Sequence, residues 1–303
     1  MADIPPVVHT EDLTKYYGSN RGILRVNLDV RPGEVFGYLG PNGAGKTTTI
    51  RALLGFIRPT SGRASLFGLD TVRDSVAIHR RVGYLPGEFT LYEHLTGAEL
   101  LRYLGHLRGG VSWRQVEVLA ARLECDLSQR IGSLSHGNRQ KVGLIQAFMS
   151  GPDLLVLDEP TNGLDPLMQQ VFYHLVEEAR AAGATVFLSS HILPEVERVC
   201  DRVGIIRAGE LVAVEDIDTL KGRAVRRVEV RFAGAVSPED FAGVPGVQDP
   251  VVTDNVLRCT VAGEMDALVK KLAGFTVVSL VSHEPSLEDV FFTYYAGEPS
   301  DAA

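Results

Sequence analysis

The chain has 303 residues, a mass of 32.9 kDa and a formal net charge of −8 at pH 7. This length predicts about two domains at roughly 150 residues each, and the acidic balance argues against a nucleic-acid partner, which requires a basic footprint. Three widely spaced cysteines fit neither a disulfide framework nor a zinc site, which indicates a reducing compartment. No apolar run approaches the ~18 residues of a membrane span, and the first residues lack a secretory pattern. We therefore expect a soluble protein.

The predicted elements of the first 222 residues alternate between strands and helices. A short apolar strand over 35–39 enters a glycine-rich turn, and a helix is predicted over 46–54. Continuous apolar runs at 154–157 and 185–189 are typical of parallel strands covered on both faces. This order predicts an α/β domain over 1–222 with a parallel sheet and right-handed crossovers.

A helical subdomain is predicted to interrupt this domain over about 87–151. Thr96 and Glu99 have the spacing of a capping box at a helix start. The apolar residues that follow share one helical face, and we expect this face to lie in the core: Leu100, Leu101, Leu104 and Leu107.

A small α+β accessory domain is predicted over 223–303. Val228, Val230 and Phe232 alternate with charged residues, as in a half-buried strand, and further strands are predicted over 256–261 and 276–281. One helical face is predicted from the spacing of Met265, Leu268, Val269 and Leu272. A final helix through Tyr295 is also predicted, with Ser286 and Asp289 as its capping residues.

The glycine-rich turn matches the phosphate-loop pattern G-x-x-x-x-G-K-[ST] at every fixed position. Its glycines let backbone N–H groups converge on phosphate oxygens, and the helix N-terminus adds positive potential. Lys46 is expected to bind the β- and γ-phosphates, and Thr47 to ligate Mg²⁺. The predicted phosphate-binding residues are Gly40, Pro41, Asn42, Gly43, Ala44, Gly45, Lys46, Thr47 and Thr48.

Two acidic residues end the apolar run at 154–157. A strand-terminal Asp158 is expected to point into the crevice beyond the sheet and to hold Mg²⁺. Glu159 faces a different direction and can act as the general base toward the attacking water. The alternative is a solvated acid pair at the start of a loop.

Further motifs follow in a specific order. Leu-Ser-His-Gly-Asn at 134–138, Asn-Gly-Leu-Asp at 162–165 and Ser-Ser-His at 189–191 come after the phosphate loop, and Tyr17 precedes it. With the phosphate loop, these motifs resemble the ATP-binding subunits of ABC transporters over about residues 7–220. The segment 134–138 looks like the family's LSGGQ signature, 162–165 like its D-loop and 189–191 like its switch-histidine motif. Tyr17 looks like the aromatic residue that stacks on adenine.

The resemblance implies ATP and Mg²⁺ as ligands and a role for each matching residue. The signature residues Ser135, Gly137 and Asn138 would contact the γ-phosphate of an ATP bound by the opposite subunit. Ser135 also has the position of a helix N-cap, which is compatible with that role. His191 would sense the γ-phosphate, and Asp165 would join the two ATP sites.

The sequence departs from the family pattern at the loop that usually carries a glutamine. Gly87 takes the glutamine's position, and Glu88 follows it. Glu88 is either a substitute oxygen ligand for the metal or an ordinary loop acid. Nearby apolar residues are candidate contacts for a transmembrane partner: Phe89, Leu91 and Tyr92.

The segments 284–291 and 91–96 resemble bacterial ABC-2-type export ATPases that act on drugs and polyketides. This implies a dimer with itself or a homologous ATPase subunit, a separate transmembrane permease, a place on the cytoplasmic face of the membrane, and a lipophilic drug-like, polyketide or antibiotic substrate. Two alternatives remain open at this point: a soluble ABC ATPase that moves no solute, and a nucleotide-gated regulatory module.

Overall fold

The computed structural model describes residues 5–87, 92–223 and 226–283. The chain divides into two compact units, residues 1–215 and 216–303, and each has an apolar cluster of its own. The sequence placed the boundary after Gly222, whereas the helix Ile217–Arg223 falls in the second unit.

The first unit contains ten strands and seven α-helices within its described residues. The strands are β1 (Val8–Tyr17), β2 (Asn20–Val30), β3 (Val35–Leu39), β4 (Ser61–Leu66), β5 (Leu69–Asp70), β6 (Val82–Leu85), β7 (Leu154–Asp158), β8 (Thr185–Ser190), β9 (Arg202–Arg207) and β10 (Glu210–Asp216). The helices are α1 (Lys46–Leu53), α2 (Ser75–His79), α3 (Gly97–Leu107), α4 (Trp113–Arg122), α5 (His136–Phe148), α6 (Pro166–Ala181) and α7 (Leu193–Val199).

Six strands form a central sheet in the order β10-β9-β3-β8-β7-β6. The pairs β3–β8, β3–β9, β6–β7 and β7–β8 are parallel, and every residue of β3, β7 and β8 is buried. Burial on both faces explains why these strands are continuous apolar runs rather than alternating ones. The predicted α/β core is confirmed, and the carboxyl ends of β3, β7 and β8 lie side by side.

A second, antiparallel sheet has the order β2-β1-β4-β5 and was not predicted. The register between β1 and β2 shifts several times, and Asp12 and Arg25 have positive φ angles of 45° and 43°. Such bulges break the two-residue alternation that identifies a half-buried strand. The two sheets nevertheless share one apolar cluster, which joins Leu13 and Val26 to Phe187.

Phe187→Ala is expected to lower the free energy of unfolding by about 3–5 kcal/mol, because it removes a buried ring and leaves a cavity. Phe187 is fully buried and stacks on Phe36 with ring centroids 5.8 Å apart; the centroid of Tyr38 lies 5.4 Å away. Denaturant unfolding measures the change. Phe56→Ala is the control, because this ring is 53% exposed, and its truncation should cost less than about 1 kcal/mol.

The predicted capping box at the start of α3 is confirmed. The Thr96 side chain accepts from the Glu99 N–H, and the Glu99 carboxylate accepts from the Thr96 N–H at 2.8 Å. Leu100 and Leu101 are buried, but Leu107 is 68% exposed, so the expectation of a core position was wrong there. Helical spacing predicts which face a residue occupies but not how far the neighbouring elements extend along that face.

The second unit contains α8 (Ile217–Arg223), β11 (Arg226–Phe232), β12 (Val247–Thr253), β13 (Val256–Val261), α9 (Asp266–Leu272) and β14 (Val277–His283). The strands form an antiparallel sheet in the order β12-β13-β11-β14, and the alternation predicted for β11 is confirmed. Val269 of α9 is 52% exposed, against the predicted apolar face, whereas Leu268 and Leu272 are buried. The predicted final helix after Ser286 lies outside the described residues.

Two sequence expectations concern membrane spans and disulfides. Within the residues that the structure describes, no helix is both long and apolar enough to cross a membrane. Cys125, Cys200 and Cys259 are free thiols.

Candidate functional site

The phosphate loop connects the end of β3 to the start of α1. Gly45 precedes the helix with a φ angle of 109°, and a Cβ atom at this position would lie 2.9 Å from the Gly22 carbonyl oxygen. A Cβ atom at Gly40 would lie 2.4 Å from the Ile206 carbonyl oxygen. Glycine is therefore required at both ends of the loop. Gly45 is required for its backbone conformation, and Gly40 for the close approach of strand β9.

Lys46 is the first residue of α1, and its side chain is almost fully buried. Its Nζ donates to the carbonyl oxygens of Gly40 and Pro41 at 2.6 and 3.2 Å. The same Nζ lies 3.1 Å from Glu159 Oε1. The loop therefore curls around its own lysine, and the ammonium group already faces a carboxylate oxygen.

Asp158 ends β7 and is 1% exposed. Its Oδ2 accepts from Thr47 Oγ1 at 2.8 Å, and its Oδ1 accepts from the hydroxyl of Ser189, on the adjacent strand β8. The parallel sheet thus brings together the two predicted metal ligands, Thr47 and Asp158. The alternative of a solvated acid pair is not supported, because this carboxylate is buried.

Glu159 follows the strand with a φ angle of 51°, a left-handed conformation that is unusual for a residue other than glycine. Its N–H donates to the Ser189 carbonyl oxygen at 3.1 Å, so the turn is held by β8. Its Oε2 lies 2.7 Å from His191 Nδ1. Oε1 is buried and has no hydrogen bond of good geometry besides its ion pair with Lys46.

Both metal ligands are hard oxygen donors, which suit Mg²⁺. Within the described part of the chain, no group of three or more His, Cys, Asp or Glu side chains could hold a metal ion. Mg²⁺ is commonly bound through one or two protein ligands together with phosphate oxygens and water. The pair formed by Thr47 and Asp158 therefore fits Mg²⁺ that arrives with a nucleotide.

A cleft of about 630 Å³ opens above these groups. Tyr17, 46% exposed, lies at its wall, and Tyr84 lies near Asp158. Burial, with a smaller effect of the Asp158 charge, raises the pKa of Tyr84 to about 12, so its hydroxyl stays protonated at neutral pH. Further residues that line the cleft are Arg21, Asn42, Gly43, Gly45, Lys46, Thr47, Thr48, Arg51, Glu159 and Asn162.

The signature lies at the start of α5, away from this cleft. The Ser135 side chain caps the helix by accepting from the Asn138 N–H at 3.3 Å, and neither residue lines the cleft. A Cβ atom at Gly137 would lie 2.4 Å from the Gly163 carbonyl oxygen, so the signature is pressed against the D-loop of the same chain. Asp165 caps α6 through the N–H groups of the next turn. One chain therefore does not bring its own signature to its own phosphate loop.

The model of the ABC transporter family matches residues 23–162. The bacitracin transport ATP-binding protein BcrA of Bacillus licheniformis is 35% identical over 303 residues, which cover 96% of this chain and 98% of the relative. The chain belongs to the ATP-binding proteins of ABC transporters. The probable multidrug ABC transporter ATP-binding protein YbhF of Escherichia coli is 36% identical over 72% of this chain and 38% of its own length. A solved ATP-binding subunit of an ABC transporter superposes with a TM-score of 0.65 at 34% identity, over 71% of this chain and 92% of the other.

Family membership makes this ABC protein an ATPase with a P-loop fold, as its motifs predicted. Both relatives named above are ATP-binding proteins of transporters. The two alternatives, a factor that moves no solute and a regulatory module, are therefore not supported.

Sequence reasoning missed two buried side chains that hold this ABC site in place. Gln140 of α5 is 1% exposed, and its Nε2 donates to the carbonyl oxygens of Glu159 and Pro160 at 3.1 and 2.9 Å. Glu195 of α7 is 2% exposed and accepts from the Ser190 hydroxyl. A polar residue next to a motif was the available signal, but burial cannot be read from a sequence.

Gly87, at the position of the family's glutamine, lies close to Asp158. A Cβ atom at Gly87 would lie 3.2 Å from both Cγ and Oδ2 of Asp158, a distance tighter than most side-chain contacts. Gly87 therefore lets the loop after β6 approach the metal ligand closely. Glu88, Phe89 and Leu91 lie outside the described residues, so the two interpretations of Glu88 both stay predictions.

Gly87→Gln is expected to raise the Mg²⁺ concentration for half-maximal ATP hydrolysis and to lower turnover by up to about tenfold. The added Cβ pushes the Asp158 carboxylate by a few tenths of an ångström, less than the ~1 Å misplacement that costs about 100-fold. Mg²⁺ titrations of the steady-state rate measure both effects. Gly87→Ala tests the Cβ without the amide, and Gly234→Gln in the second unit, where a Cβ meets open space, is the control. A titration unchanged from wild type would mean that this loop does not serve the site.

Proposed function

We propose that this protein is the ATP-hydrolysing subunit of a membrane exporter. It works as a dimer, with itself or with a homologous subunit, and it binds a separate transmembrane permease on the cytoplasmic face of the membrane. The observation that carries this proposal is the continuous contact from Lys46 through Glu159 to His191 at the mouth of the phosphate cleft. It supplies a phosphate-binding cation, a base and a γ-phosphate sensor in one place.

ATP binding begins with an exchange of partners at Lys46. Its ammonium group pairs with Glu159 and with two loop carbonyl oxygens, and the phosphates of ATP must displace these partners. The β- and γ-phosphates offer more negative charge than one carboxylate, so Lys46 turns to them. That exchange releases Glu159 toward the attacking water. Tyr17 stacks on the adenine at the other end of the cleft.

Glu159 then acts as the general base. Its carboxylate takes a proton from the water that attacks the γ-phosphorus, and phosphoryl transfer otherwise needs mainly positioning and charge neutralisation. His191 holds Oε2 of Glu159 through Nδ1 and binds the γ-phosphate through its other ring nitrogen. Thr47 and Asp158 would hold Mg²⁺, which would neutralise the negative charge that develops on the phosphate oxygens.

The second half of each ATP site comes from the other subunit. Ser135 and Asn138 do not line the cleft of their own chain, and Ser135 caps a helix of thirteen residues whose N-terminus favours an anion. ATP therefore bridges the phosphate loop of one subunit and the signature of the other. The nucleotide contacts both subunits only in the closed dimer, and this difference in contacts shifts the equilibrium toward closure. Loss of the γ-phosphate reopens it.

The exported substrate is an antibiotic or another lipophilic, drug-like molecule such as a polyketide. The support comes from the relatives, since BcrA is named for bacitracin transport and YbhF as a probable multidrug transporter. The permease selects the substrate, because the walls of the nucleotide cleft are polar and do not suit a lipophilic molecule.

Mixing two inactive variants tests the dimer. Lys46→Ala removes the phosphate loop's cation, and Ser135→Arg blocks the signature of the same chain. In a mixed dimer, one site combines both defects and the other is intact, so we expect ATPase activity to return on mixing. The two changes placed together in one chain and mixed with themselves are the control and should stay inactive. No recovery would contradict a site shared between two copies of this chain.

Purification of the tagged chain from mild-detergent extracts of its native membranes tests the transport assignment. We expect a multi-span protein to copurify in a fixed stoichiometry and to be identified by mass spectrometry. Recovery of the chain without any membrane protein, while its ATPase activity is retained, would contradict the permease.

A further inference from the structure

A buried carboxyl group lies beneath the turn that carries His191. Glu195, in the first turn of α7, is 2% exposed. Its Oε2 accepts from Ser190 Oγ at 2.5 Å, and the Thr161 hydroxyl lies close enough to the same carboxyl group to lower its pKa. Its Oε1 is buried and has no hydrogen-bond partner among the described groups. A buried carboxyl group with an unpaired oxygen costs stability, so its presence here calls for a functional reason.

The two partners of Glu195 belong to the segments that carry the reacting groups. Ser190 directly precedes His191, and its hydroxyl oxygen also accepts from the Ile192 N–H at 2.9 Å, so it closes the turn around the histidine. Thr161 is buried two residues after Glu159. Glu195 is therefore bonded to the segment that carries His191 and lies beside the segment that carries Glu159.

We propose that Glu195 is a positioning residue for ATP hydrolysis, which fixes the His191 turn beside the Glu159 segment. The inference rests on the roles proposed above for Glu159 and His191. Glu195 does not touch the cleft, so it acts through these two residues and not on the nucleotide.

The surroundings of Glu195 place its change of charge near neutral pH. Burial raises its pKa to about 7, against the lowering effect of the Ser190 and Thr161 hydroxyls; the Glu159 charge raises it further, and His191 lowers it. Two other titratable groups face it: burial and the charge of Glu195 raise the pKa of both the Tyr173 hydroxyl and the Cys200 thiol, so both stay neutral in this range.

The direction of the effect follows from the sign of the charge. Ionised Glu195 accepts a charge-assisted hydrogen bond from Ser190, so it holds the His191 turn more firmly than the neutral acid does. Protonated Glu195 makes only the weaker bond. The kcat of the wild-type protein should therefore rise with pH through about 7, as Glu195 loses its proton.

Glu195→Gln tests this inference in the purified full chain. The amide keeps the shape and an acceptor oxygen for Ser190 but cannot ionise. Between pH 6 and 8 we expect the wild-type kcat to rise at least about threefold and the variant kcat to stay within about twofold, with KM for ATP unchanged in both. If Glu195→Gln keeps the wild-type pH profile, the rise of kcat between pH 6 and 8 comes from another group, such as His191, and the inference is wrong.

A second variant separates positioning from general packing. Ser190→Ala removes the hydroxyl that joins Glu195 to the His191 turn, so it should lower kcat at pH 8, and the double variant should be no slower than the slower single one. Additive losses would overturn the connection. Glu177→Gln, an exposed change on α6, is the matched control with wild-type kinetics. Normal turnover by Glu159→Gln would instead refute Glu159 as the base. A failure of the proposed function can therefore be distinguished from a failure of the inference about Glu195.

Discussion

Glu159→Gln is expected to lower kcat by at least about 100-fold and to strengthen ATP binding. The loss has the size of a general-base contribution, because the amide cannot accept the proton of the attacking water. The gain in affinity comes from Lys46, whose Nζ lies 3.1 Å from Glu159 Oε1, so ATP must displace that carboxylate to reach the ammonium group. Without the carboxylate charge, ATP no longer competes with an ion pair for the ammonium group.

Two measurements separate these effects. Single-turnover rates report the chemical step, and equilibrium titration with a fluorescent ATP analogue reports the affinity. Glu177→Gln changes an exposed carboxylate on α6 and should match wild type in both. Slow turnover with weaker binding would contradict the exchange of partners at Lys46, and turnover near the wild-type rate would place the base elsewhere.

Lys46→Ala is expected to weaken ATP binding by about 10- to 100-fold. A hydrogen bond to a charged group contributes roughly 1.5–3 kcal/mol, and each 1.4 kcal/mol is a factor of ten in affinity. The change also deprives the buried Oε1 of Glu159 of its cation. Hydrolysis should therefore fall further than binding does, even at saturating ATP.

The affinity of Lys46→Ala can be measured by calorimetry with ATP and Mg²⁺. Lys270→Ala removes an exposed lysine that pairs with Asp266 in the second unit, and it should bind ATP as wild type does. An unchanged affinity in the Lys46 variant would refute its assigned contact with the phosphates. Loss of binding together with a lower unfolding midpoint in the absence of ATP would instead indicate a damaged loop. Lys46→Arg is the control for that case, because it retains the positive charge.

The sequence predicted the central strands well and the second sheet not at all. β3, β7 and β8 are buried on both faces, and such strands are recognised as short continuous apolar runs. β1 and β2 contain bulges and positive φ angles at Asp12 and Arg25, so no regular alternation marks them. Leu107 and Val269 also follow helical spacing, yet they are 68% and 52% exposed, because spacing predicts a shared face but not which positions on that face are covered.

The sequence by itself determined the chemistry of the phosphate loop, because the eight residues of that motif are contiguous and their backbone conformation is local. It also supplied the order of motifs that marks an ABC ATPase. Only the tertiary structure decided which distant groups meet: Thr47 with Asp158, and Lys46 with Glu159. The physical reason is the parallel sheet, which sets the carboxyl ends of β3, β7 and β8 side by side although long crossovers separate them in the chain. Burial is likewise a property of the packed molecule, so the pKa of a carboxyl group such as that of Glu195 rises only when α7 packs against β3, β8 and α6.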